Sequence, residues 1–242
     1  MSPWMYPYLG AFLIGLSKAG FATGLGMLTT PLVTTAVPAR EAIGIILPLL
    51  CFADLLTLSA FWKKWNLDLI RVPFYGALGG IALGMGFVKV ISEQLLRNSI
   101  GATALALTAL LIIRNIWYPA RAYRPSFWEA LLVGVAAGFS SSISHGAGPI
   151  MAIYLMAQKT DKTAFVASNA IFFTTLNLIK IPPYAISGLI TPATLLQDLR
   201  YLPLIPLGVA VGWVANRALP QKAFEWLVYG LLIVTGIHLL LS

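Results

Sequence analysis

Uninterrupted apolar runs constrain this chain more than any other feature. Segments such as Ile100 to Ile113 and Leu227 to Leu241 present apolar or small side chains on nearly every face of a helix. Apolar stretches that reach or exceed the roughly 20 residues needed to cross a bilayer core recur along the sequence. Transmembrane strands alternate apolar and polar residues over about ten positions, a pattern absent from these runs, so the spans read as helices. Charged residues make up 10% of the 242, against roughly 25% in an ordinary soluble domain. With mean hydropathy at +0.85, a water-soluble globule is excluded and the solvent is lipid.

The same composition removes several functions. The single cysteine, Cys51, can form no internal disulfide, and with only His145 and His238 beside it no zinc site of three or four N/S ligands is expected. No cofactor motif is recognised. The net charge of +8 comes from 16 basic residues scattered between apolar runs. That scatter reads as topology signalling and not as a nucleic-acid patch, which leaves the bilayer and a small solute as the partners. Met1 to Leu16 lacks a basic start and a cleavage site and reads as mature protein.

Six segments read as simple crossings, at about 41–62, 71–90, 97–117, 162–188, 199–217 and 222–241. Two longer regions do not. Tyr8 to Val37 would run about 45 Å as one helix, well beyond a core of about 30 Å, and it carries Lys18, Gly20, Gly24, Gly26 and Pro31. A re-entrant hairpin of two short helices fits it better. Phe127 to Gln158 repeats the pattern with Gly138, a run of serines, Gly146, Gly148 and Pro149.

The halves correspond. An offset of 122 carries Gly24, Gly26 and Arg40 onto Gly146, Gly148 and Lys162, and an offset of 128 carries Gly80, Gly84 and Lys89 onto Gly208, Gly212 and Arg217. Residues 1–117 and 127–242 are therefore read as two repeats joined by the linker 118–126. Charge tests the hairpins. With Lys18 and Lys180 set aside as intramembrane, eight simple spans would divide the other 14 basic residues evenly, whereas two hairpins divide them ten against four. The positive-inside rule selects the hairpins and puts Lys63, Arg121, Lys159 and Lys222 in the cytoplasm, with both termini outside. Each half then holds one hairpin and three crossings, an odd number, so the repeats are inverted. The expected fold is an all-α integral membrane protein of two inverted repeats, each a re-entrant Gly-rich helical hairpin plus three transmembrane helices, an arrangement suited to alternating access.

An intramembrane charge costs roughly 2.5 to 3.5 kcal/mol at a helix centre, so each invites a functional reading. Lys18, with Ser17 and the free N–H groups near Gly24 and Gly26, makes a positive, donor-rich first tip suited to an anion. At the second tip, Ser140, Ser141, Ser142, Ser144 and His145 converge beside Gly146 and Gly148 as hydrogen-bond donors. Serines in membrane helices also bond back to their own backbone, and a histidine there is equally read as structural. Asp54 either takes a proton in each cycle or pairs with Lys18. Asn169 and Asn177 share a helix face and are expected to line the same cavity, while Lys180 reads as snorkelling outward.

The two tip segments, Gly15-Leu-Ser-Lys-Ala-Gly-Phe-Ala-Thr-Gly-Leu-Gly and Gly134-Val-Ala-Ala-Gly-Phe-Ser-Ser-Ser-Ile-Ser-His-Gly-Ala-Gly-Pro149, resemble those of the TauE/SafE sulfite and sulfonate exporters. That family usually carries Gly-Gly-Gly at each tip, where this chain has Gly-Leu-Gly and Gly-Ala-Gly. The resemblance implies a secondary transporter of the bacterial inner membrane that exports sulfite or an organosulfonate, and it leaves a homodimer open. Two other classes stand beside it. A passive anion channel would use the same positive tip. An intramembrane serine hydrolase built on Ser141 and His145 lacks an acid to orient the imidazole, so no enzyme is expected.

Overall fold

The computed structural model describes residues 5–18, 25–117, 123–158, 160–218 and 221–242. Gly24, Arg121, Lys159 and most of the linker lie outside them. The described residues form eleven α-helices and one short 3-10 turn, with no strand: α1 (Met5–Lys18), α2 (Leu25–Thr34), α3 (Ala39–Ala60), α4 (Arg71–Val90), α5 (Glu93–Trp117), α6 (Phe127–Ser144), α7 (Gly148–Ala157), α8 (Lys162–Ile186), α9 (Pro192–Tyr201), α10 (Leu204–Ala218) and α11 (Gln221–Leu241).

Local chemistry sets the helix starts. Ser126 caps α6, accepting from Glu129 N while the Glu129 carboxylate accepts from Ser126 N, and the Asp161 carboxylate accepts from Thr163 N and Ala164 N at the start of α8. Thr191 caps α9, with Pro192 at its first position. Five described helices are long and apolar enough to cross a membrane, namely α3, α4, α5, α6 and α8.

Both suspected hairpin regions are broken into two helices. α1 and α2, at 14 and 10 residues, extend about 21 and 15 Å, each short of the core thickness. They run antiparallel: Gly26 lies opposite Ser17, and a Cβ on Gly10 would meet Val33. In the second region the break falls at His145 to Ala147, and the first helix is not short as expected, for α6 is long and apolar enough to cross a membrane. α6 passes unbroken through Gly138 for 18 residues, about 27 Å, because that glycine serves packing instead of a turn. The Tyr123 N–H donates to Ala157 O (2.8 Å) and the Arg114 guanidinium lies 3.2 Å from Met156 Sδ. The far end of α7 thus returns to the end of the bundle where α5 finishes and α6 starts.

One expected crossing is interrupted. Of the 199–217 segment, 204–217 is the single helix α10, and 199–201 is the end of α9, divided from it at Leu202 and Pro203. Pro203 and Pro206 lack the N–H groups that a continuous helix requires.

Glycines control the tightest packing. A Cβ on Gly76, Gly80, Gly134 or Gly138 would stand 2.0 to 2.2 Å from a carbonyl oxygen of the facing helix, so α4 and α6 touch backbone to backbone along parallel axes. α1 and α10 meet the same way, with Gly15 against Ile205 O and Gly208 against Phe12 O. α3 and α8 cross at the centre, and α11 packs on α5 and α2.

Candidate functional site

The facing ends of α1 and α2, those of α6 and α7, and the middles of α3 and α8 line a cavity of about 190 Å³. From α3 come Leu50, Asp54 and Thr57, and from α8 come Phe165, Asn169, Phe173 and Asn177. Spacings of three and four place each set on one helix face. Ser17, Lys18 and Gly26 line it from the first hairpin, and Ser141, His145, Gly148 and Pro149 from the second.

Asp54 organises the centre. Its side chain is 1% exposed, and its two oxygens are both engaged: Lys18 Nζ pairs with Oδ1, and Asn177 Nδ2 donates to Oδ2 at 2.6 Å. Of the two readings of Asp54, the geometry contains the ion pair. Lys18, at 22% side-chain exposure, still faces the cavity with N–H bonds left over, since an ammonium has three.

The second tip differs from the sequence reading in how its hydroxyls are used. Ser142 and Ser144 donate to the carbonyls of Gly138 and Ser140, four residues back, and are buried away from the cavity. Ser140 Oγ is buried without a described partner. Ser141 alone of the four lines the cavity. Gly146 is likewise not in the wall; a Cβ there would meet Leu107, Ser144 and Ser140. His145 caps α6 in the left-handed conformation (φ 55°), which turns the chain and leaves its ring in the wall. Its Nδ1 lies 3.5 Å from Thr30 Oγ1, and its Nε2 has no described partner. The Asn169 amide oxygen is also unpartnered.

Lys180 does not snorkel outward. It is fully buried, and its Nζ donates to Ser141 Oγ (2.8 Å) and Ser141 O (3.1 Å). The Pro182–Pro183 pair stays within α8, keeping Lys180 on the inner face one turn beyond Asn177. Phe165 and Phe173 were not singled out from sequence, although they lie four residues before Asn169 and Asn177 on the same face.

The cavity is one-sided. From Asp54 it extends towards Thr57 and Phe165, the end of the bundle where Asn66 N donates to Ser168 Oγ. At the other end α3 is in backbone contact with the turn that follows α8, for a Cβ on Gly44 would stand 2.0 Å from Leu189 O. Tyr184, fully buried, adds to that closure by donating its hydroxyl to Ser142 O at 2.8 Å.

A polar cavity at the heart of an apolar bundle is what a solute carrier requires, and the sequence comparison agrees. The family model described as sulfite exporter TauE/SafE matches residues 8–239. The chain belongs to that family. TauE/SafE proteins are membrane transporters and not enzymes. No curated protein and no solved structure matches the chain.

Proposed function

We propose that this TauE/SafE chain exports a small sulfur oxyanion, sulfite or an organosulfonate, across a bacterial inner membrane by alternating access. One observation carries the reading: the cavity's polar lining is rich in donors (Lys18, Ser141, His145, Asn177), and its one carboxylate is already neutralised by Lys18 and held by Asn177. Such a lining favours an anion with hydrogen-bond acceptors over a cation. A membrane potential negative inside drives an anion outward with about 2.3 kcal/mol per charge per 100 mV.

In this reading the two regions 8–37 and 127–158 are re-entrant hairpins and the halves are inverted repeats. The contacts that support it join chain segments which eight simple spans would put on opposite sides: Tyr123 with Ala157, Arg114 with Met156, and Arg97 with Ser242 at 2.8 Å. The exchanged packing of α1 on α10 and α6 on α4 supports it too, since each repeat lends its first helix to the other. The cavity faces the side that carries Lys63, Lys64 and Arg71, the positive and hence cytoplasmic side, which makes this the inward-facing state. The closed outer end speaks against a passive channel.

The test is a flux screen in reconstituted vesicles across sulfite, sulfoacetate, taurine, sulfate and acetate. Saturable flux of sulfite or sulfoacetate supports the assignment. Flux of none of the sulfur compounds, or of acetate alone, refutes it.

A further inference from the structure

Lys180 is a buried cation with no carboxylate of its own. Among the described residues its ammonium donates only to Ser141, at the carbonyl and at the hydroxyl oxygen, and the nearest acid in the site, Asp54, has both oxygens engaged elsewhere. An ammonium held in a low-dielectric interior by neutral acceptors alone is costly unless a counter-charge arrives.

Its effect on Ser141 is directional. A hydroxyl has one proton and two lone pairs. Ser142 and Ser144 commit their protons to carbonyls in the preceding turn, but Ser141 receives a hydrogen bond from Lys180 and its own proton has no acceptor among the described residues. Ser141 is also the one serine of this run in the cavity wall. Donation into the hydroxyl oxygen polarises the O–H and strengthens it as a donor.

Charge sets the rest. With Lys180 as an ammonium behind Ser141, Lys18 and Lys180 against Asp54 leave one positive charge beside the cavity. We propose that Lys180 selects a singly charged oxyanion, by turning the Ser141 hydroxyl proton into the cavity and supplying the one positive charge the protein leaves uncompensated there. Lys180 is a positioning residue, acting through Ser141. The proposal rests on the anion-transport reading above and narrows it: a sulfonate with no second acidic group, or hydrogensulfite, balances the site, whereas a dianion such as sulfate or sulfoacetate leaves a negative charge unpaired in a medium of low dielectric.

The experiment is isothermal titration of methanesulfonate, a monoanion, and of sulfate, a dianion, into the purified full-length chain in detergent at pH 7. The wild type is expected to prefer methanesulfonate. Lys180→Met should weaken methanesulfonate at least about tenfold, the scale of a charge-assisted hydrogen bond. Ser141→Ala should weaken both anions but keep the preference, and adding it to Lys180→Met should cost little more, because the two act in series. Asp54→Asn, which raises the site by one positive charge, should shift the preference towards sulfate. A purely structural Lys180 would lower the melting temperature and leave the ratio of the two affinities alone.

Unchanged methanesulfonate affinity in a folded Lys180→Met variant overturns the proposal. If that variant does not fold, an unchanged affinity ratio in Asp54→Asn overturns it. A wild type that binds neither anion defeats the anion reading itself, a result distinct from both.

Discussion

Replacing Lys18 by Gln removes the cation that compensates a carboxylate buried to 1% exposure. Breaking a buried ion pair from one side costs about 3 to 5 kcal/mol, because the remaining charge is stranded. Lys18 is itself 22% exposed and Asn177 keeps its 2.6 Å bond to Asp54, so the lower end applies, about 3 kcal/mol. For a chain of 242 residues that corresponds to a fall in melting midpoint of about 6 to 12 °C. Adding Asp54→Asn replaces the stranded carboxylate with an amide that can pair with both Gln and Asn177, and the combined loss should shrink to about 1 kcal/mol or less. Thermal unfolding of the purified variants in detergent measures both quantities. A Lys18→Gln protein as stable as the wild type, or a double variant no better than the single, would refute the reasoning. Flux adds a second readout: the double variant should fold yet transport poorly, since the spare N–H groups of Lys18 are gone. Full flux there would reduce Lys18 to half of a structural pair.

Gly138→Ala places a Cβ 2.2 Å from Ala77 O and forces α4 and α6 apart, at about 1 to 3 kcal/mol, whereas Gly79→Ala meets nothing within 4 Å and should be neutral or slightly stabilising in the same melting assay. Ser144→Ala should leave substrate affinity unchanged because its hydroxyl serves Ser140 O, while His145→Ala should raise the apparent substrate constant in vesicle flux; the reverse ranking would contradict the site geometry. On the short helix α9, burial pushes the Asp198 carboxyl up to about 7, and neither oxygen has a described partner. Its folded value lies above the unfolded one, so the stability tied to the neutral acid falls as pH rises from about 4 through 7; Asp198→Asn should flatten that part of the stability profile, and an unchanged profile would contradict it. Cysteines placed at Lys63 and Lys222 in a Cys51→Ser background should be shielded from an impermeant thiol reagent outside intact cells, and external labelling at either would invert or break the proposed topology.

The sequence was most legible where composition and periodicity speak together. Apolar runs located α3, α4, α5 and α8 closely, and each of the two regions too long to be one span holds two helices. The cavity was legible through its polar residues, because a polar group inside a membrane helix needs a reason: Lys18, Asp54, Ser141, His145, Asn169 and Asn177 all reach it. What failed depended on orientation. Lys180 has the same stem whether it snorkels or points inward, and only the face that α8 turns to its neighbours decides between them. The serine run looked like four equal donors, yet at helical spacing they face different ways and two of the hydroxyls bond to their own helix. Gly138 was grouped with the tip glycines because a glycine's use for close packing becomes visible only when Ala77 is known to lie opposite. The division of 199–217 at Pro203 carried a signal in the sequence, two prolines three residues apart, that apolar length alone overrode.

Counterflow in reconstituted vesicles tests the carrier mechanism most directly. Vesicles loaded with unlabelled sulfite or methanesulfonate and diluted into a trace of the labelled anion should accumulate label transiently above equilibrium, because a site that faces one side at a time exchanges solutes one for one. Label that enters only down its gradient, at a rate that never saturates, would mean an open pore and contradict alternating access at the Lys18–Asp54 cavity.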